Sequence, residues 1–196
     1  LREVNARKSA WQLGGDIYIE EQKTNEAFPD RSEIHYEFQI DYDTFFSKAY
    51  QSKSYLFTSY EYTGGANGNA HVQSFNFDKS GIIQIETILN LEENRDIELT
   101  KLLASEAEKS KDWIHSEMLY QGLGLAYLKE DGKTLDLQKC QCDGFLFASN
   151  FNHFIIEDKG ITFYFDEYQI APGAAGITQV TISWKKLSPY LVQHIH

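Results

Sequence analysis

The fold class turns on Phe154-Ile155-Ile156-Glu157-Asp158-Lys159-Gly160-Ile161-Thr162-Phe163-Tyr164-Phe165. Two runs rich in aromatic and β-branched residues flank an Asp-Lys-Gly turn, the pattern of a β-hairpin. Upstream, Leu99, Leu102, Leu103, Ala107, Trp113 and Ile114 fall mostly on one face at helical spacing, with charged residues between them, and predict one long helix from about Ile97 to Met118. Asn94 or Asp96 is placed to cap it. Further upstream, Tyr55–Tyr62 and His71–Asp78 read as two strands around a Gly/Asn-rich break. Strands, a helix, then strands again predict an α+β fold: an antiparallel or mixed sheet packed against one long helix, with hairpins on either side of it in sequence.

Outward from this frame, Glu33–Asp41 alternates Ile34, Tyr36, Phe38 and Ile40 with polar residues, the period of a half-buried strand. Asp16–Gln22 is a shorter candidate, and Ile82–Ile85 extends the sheet after a turn at residues 78–81. Val180, Ile182 and Trp184 alternate in a last strand, and Leu187–Val192 reads as a short helical tail. With three prolines and neither a repeat nor a low-complexity run, residues 1–196 read as a single compact domain.

Composition narrows the function classes. Hydrophobic residues at 42%, 14% of the chain being aromatic, supply a core. A net charge of −11 argues against nucleic acid and anionic lipid as partners and suits a basic protein. No apolar run is long enough to span a bilayer. The chain opens at Leu1, which reads as a processed or trimmed product. Cys140 and Cys142 sit one residue apart; a bridge there is possible but strained, and two free or poorly exposed thiols are the expected state.

Two segments carry more than generic strand and loop. One is Tyr62-Thr63-Gly64-Gly65-Ala66-Asn67-Gly68-Asn69, followed by Ser74-Phe75-Asn76-Phe77-Asp78. The other runs from Gly160 through Asp166-Glu167-Tyr168-Gln169-Ile170-Ala171-Pro172-Gly173-Ala174-Ala175-Gly176 to Val180-Thr181-Ile182. Together, in this order with a helix between them, they resemble a bacterial domain-of-unknown-function family. That family occurs in the extracytoplasmic part of RsiV-type anti-sigma factors and the N-terminal region of PdaC-type peptidoglycan deacetylases. Residues 60–190 resemble the RsiV-type segment, and residues 1–60 more weakly the companion PdaC-type segment. Asn67 stands where the family often has His, and Glu167 where it usually has Pro. The resemblance implies an extracytoplasmic, cell-envelope location and a binding or sensing role toward a protein, such as an envelope hydrolase, or peptidoglycan. It implies no reaction and no cofactor.

The expected binding residues lie in these motifs: Tyr62, Gly64, Gly65, Asn67 and Asn69 in the first, Asp166, Tyr168 and Pro172 in the second. Backbone N–H groups and Asn amides suit a polar ligand, although Gly and Asn serve ordinary turns as well. Glycan hydrolysis is the competing chemistry, needing two carboxylates across a cleft from among Glu61, Asp78, Asp166 and Glu167. No catalytic residue set and no metal site are assigned; His194 and His196 offer at most a weak chelate at the chain end. A structural accessory domain is the third reading.

Overall fold

In the computed structural model, residues 37–64, 66–92, 94–110, 116–141 and 145–192 are described. The strand expected at Asp16–Gln22, the first half of that at Glu33–Asp41, and Trp113, Ile114, His194 and His196 fall outside them. The chain divides into a smaller unit, residues 1–39 with 60–69, and a larger one, residues 40–59 with 70–196.

The α+β class with antiparallel sheets holds, but the described residues form two sheets. One has the order β1-β2-β3-β4, from Glu37–Ser47, Ser52–Tyr62, Asn69–Asp78 and Gly81–Ile82. The other has the order β5-β6-β7, from Phe154–Glu157, Gly160–Phe165 and Thr178–Ser183. The expected long helix is described as two, α1 (Arg95–Ser110) and α2 (Ser116–Gly122). Asn94 has φ +66°, and its carbonyl accepts the first-turn N–H of Glu98, while Asp96 Oδ1 takes the N–H of Ile97.

The quoted hairpin is the centre of the larger unit. Glu157 pairs with Gly160 across the Asp158-Lys159 turn, and Phe163 pairs with Phe154 on one side and Val180 on the other. All six residues of β6 are buried, because both faces of its sheet are covered. Phe154, Ile156, Ile161, Phe163, Val180 and Ile182 share one core with Leu99, Leu103 and Ala107 of α1, Leu119 of α2 and Leu123 just beyond it. Ile155 and Tyr164, facing the other way, pack with Leu56 of β2 and Val72 of β3. Trp184 does not continue β7. It opens a one-turn helix, α3 (Trp184–Leu187), where its ring stacks on Tyr50 at 4.2 Å and its indole N–H reaches the Glu157 carbonyl. Similarly, β4 stops at Ile82, and Ile85 begins a 3₁₀ turn. The tail is a 3₁₀ turn at Ser188–Tyr190, and Leu191 then bridges to Leu89.

β5 is an edge strand within its sheet, and polar side chains close that edge. His153 faces its carbonyl to β6, so Phe154 and Ile156 turn their N–H and C=O groups away from it. The Ser74 hydroxyl accepts from Phe154 N–H at 2.8 Å, and Asn76 Nδ2 donates to the Phe154 carbonyl at 2.9 Å. Ser54 Oγ accepts from Ile156 N–H at 3.2 Å and donates to Asn76 Oδ1 at 2.5 Å. Buried edge groups left without partners would each lose about 1–3 kcal/mol; here three side chains from β2 and β3 satisfy the Phe154 N–H and C=O and the Ile156 N–H.

This arrangement turns the aromatic residues of β3 outward. Val72, Ser74 and Asn76 share the inward face, and Phe75 and Phe77 lie half-buried on the other. There Tyr42, Phe57 and Phe75 form a row with 5.8 Å between successive ring centroids. Ile40, Tyr42, Phe46 and Ile82 are exposed, so the expected burial at Ile40 is corrected. Cys140 is buried and disulfide-bonded, contrary to the expected free thiol; the other cysteine of the chain, Cys142, lies outside the described residues.

Candidate functional site

The second motif takes in β6 and the loop after it, and the two carboxylates that open the loop are tied to the start of β3. Asp166 Oδ1 accepts the N–H of Val72 at 2.8 Å, and Asp166 Oδ2 lies 3.1 Å from His71 Nδ1. Glu167 Oε2 accepts the N–H of Ala70 at 2.9 Å, and the Glu167 N–H donates to the Ala70 carbonyl at 3.2 Å. The dipeptide therefore clasps residues 70–72 through backbone and side chain together, all within the larger unit. The backbone N–H that Glu167 supplies to this clasp is one that a proline there would lack.

Past the clasp the chain turns sharply. Asp166 N–H donates to the side-chain oxygen of Gln169, and Gln169 N–H donates to the Asp166 carbonyl. Between them Tyr168 takes φ +66°, a left-handed conformation that costs a non-glycine residue about 1–2 kcal/mol. Its ring lies directly against Gly173, where any Cβ would overlap it, yet the residue stays 47% exposed. Pro172 precedes the 3₁₀ turn Gly173–Ala175 in an extended conformation.

The first motif belongs mostly to the smaller unit. Gly64 has φ +84°, and Asn67 and Asn69 are exposed. Gly68 is buried and seats the ring of Tyr60, as Gly173 seats Tyr168. Tyr62 ends β2, and Gly65 lies outside the described residues. The predicted residues are thus distributed over both units.

Of the carboxylates weighed for hydrolysis, Asp166 and Glu167 accept backbone N–H groups, and Asp78 caps its own turn through the N–H groups of Ser80 and Gly81. Among the described residues no three His, Cys, Asp or Glu side chains gather as a metal cluster, and no helix is long and apolar enough to cross a membrane.

Sequence reading passed over His153. It immediately precedes β5 and is largely buried, and its Nδ1 has no hydrogen-bond partner among the described residues. Burial pushes its pKa down, opposed by the charge of Asp166. As one of six scattered histidines it carried no local signal; only the hairpin register sets it near Asp166.

Residues 88–185 match the family model described as "Protein of unknown function (DUF3298)". The peptidoglycan-N-acetylmuramic acid deacetylase PdaC of Bacillus subtilis (strain 168) is 28% identical over 171 residues. That match covers 86% of this chain and 30% of the deacetylase, so the chain spans under a third of that relative. Two solved structures share the fold. A DUF3298 family member from Bacteroides fragilis has a TM-score of 0.58 at 22% identity, covering 91% of this chain and 62% of its own. A DUF3298 protein from Pseudomonas aeruginosa PAO1 has a TM-score of 0.52 at 19% identity, covering 85% and 67%.

Proposed function

We propose, because the chain belongs to the DUF3298 family and is similar to part of a peptidoglycan deacetylase, that it is an extracytoplasmic binding domain of the bacterial cell envelope that recognises peptidoglycan without acting on it. The observation that carries this reading is Tyr168. A half-exposed ring is held in a left-handed backbone conformation by the Asp166–Glu167 clasp before it and its Gly173 seat after it. Strain of that kind persists only where the surroundings impose it, and it clusters at sites that hold ligands. A tyrosine pairs an apolar body with a polar tip, which suits a hydroxyl-rich, partly apolar sugar at a wet interface. The clasp favours binding over hydrolysis, since its carboxylates already serve as backbone acceptors rather than facing each other across a cleft.

Co-sedimentation with purified peptidoglycan tests this. Tyr168→Gly should weaken retention by about tenfold, the loss of about 1.4 kcal/mol expected for an aromatic contact. Its melting temperature should not fall, because glycine relieves the left-handed strain. Unchanged retention overturns the reading, and so does glycan turnover that Asp166→Asn abolishes. The net charge of −11 favours a second reading, a basic protein partner. Salt-sensitive capture of a basic hydrolase such as lysozyme, with no retention on peptidoglycan, would establish that reading instead.

A further inference from the structure

We propose that the clasp between the second motif and β3 is an acid-sensitive fastening, with His153 as the group whose protonation loosens it. The geometry is a cluster at the open end of the β5–β6 hairpin. His153 precedes β5, and its carbonyl accepts the N–H of Tyr164. Continuing the alternation of the hairpin puts His153 on the same side as Tyr164 and Asp166, the side on which Asp166 and Glu167 hold Ala70–Val72.

The titratable groups on the elements meeting here are few. From β3 comes His71, 3.1 Å from Asp166 Oδ2 and nearly half exposed. From the end of β6 come Asp166 and Glu167, the latter turned to the Ala70 N–H. Tyr164, opposite His153 on β6, is pushed up to about 12 by burial, with Glu157 and Asp43 adding to the shift, and so stays neutral throughout the relevant range. The charge of Asp166 favours an imidazolium at His153, and its two oxygens are already engaged with Val72 and His71.

Burial makes the His153 imidazole harder to protonate in the closed clasp. Any opening that wets His153 restores its ordinary affinity for a proton, so acid favours the open form by linkage. The sign follows directly. The closed form has the lowered pKa and binds fewer protons, so closure is fully favoured above about pH 6.5 and weakens as the pH falls through that value. The elements set free would be the backbone of residues 70–72 and the turn that carries Tyr168. The proposal does not rest on peptidoglycan recognition, because its readout needs no ligand.

Amide hydrogen exchange on the intact chain tests it, with rates expressed relative to the unstructured chain at each pH. Protection of the Val72 and Ala70 amides, which donate to Asp166 and Glu167, should fall between pH 7.5 and pH 5.5, by at most about tenfold, the ceiling that one released imidazole sets. His153→Phe should abolish that dependence, and His71→Gln should retain it. Should His153→Phe fail to fold, titration of the imidazole signals in the unaltered protein decides the matter: His153 should protonate below pH 6.5. Protection independent of pH, a dependence lost in His71→Gln alone, or a His153 that titrates at or above its ordinary value overturns the proposal.

Discussion

The two sheets are built from similar residues and put to different use. In β6 every residue is buried, with helices on one face and β2 and β3 on the other. On the outer face of the four-stranded sheet, Tyr42, Phe46 and Ile82 are well over half exposed. An aromatic side chain in this protein therefore carries no fixed energetic meaning; the layer that covers it decides its contribution. The inner sheet holds the fold together, and the outer sheet adds one packed face plus the side chains that close the β5 edge.

The sharpest way to break this contrast is a matched pair of truncations. Phe163→Ala in β6 should destabilise by about 3–5 kcal/mol, whereas Phe46→Ala in β1 should stay within about 0.5 kcal/mol. Denaturant midpoints measure both, and comparable losses would mean the outer face is covered after all. Next comes Asn76→Ala, which strips partners from Ser54 Oγ and the Phe154 carbonyl. It should cost about 1–3 kcal/mol although Asn76 is a polar residue on a strand. A loss below about 0.5 kcal/mol would show that other groups satisfy that edge.

The smallest effect concerns the turn between β5 and β6. The N–H of Ala49, then the hydroxyl of Ser47, hold the Asp158 carboxyl below its ordinary value of 3.8. A depressed carboxylate stabilises fully above the unfolded pKa and loses that contribution as the pH falls through the folded one. Asp158→Asn should therefore lower the melting temperature slightly near neutrality, where the carboxylate contributes in full, and flatten the acid limb of the profile below about pH 4, where the two proteins should converge. An unaltered acid limb would show that the end of β1 is not tied to this turn in solution.

Much of the frame was legible because local pattern and tertiary role coincide there. Leu99, Leu103 and Ala107 repeat at helical spacing and are buried, and Val180 and Ile182 alternate and are buried. The strand at His71–Asp78 was legible too, but not its orientation: the aromatic residues Phe75 and Phe77 face outward, and Asn76, a polar residue, lies inside. Only the β5 edge above it explains why an amide is needed there. The motifs were visible as unusual strings, but the service of Asp166 and Glu167 to residues 70–72 crosses more than ninety positions of chain, which no local period can report.

Alone, the order of residues determined the class of fold, the α1 core stripe, the β5–β6 hairpin and the two motifs, since each rests on periodicity or turn chemistry within a few neighbours. The tertiary structure decided which strand faces are covered, that the acidic pair clasps β3, and that His153 is withdrawn from water. Those outcomes depend on which surfaces meet, and burial and hydrogen-bond satisfaction are properties of the assembled chain rather than of any segment.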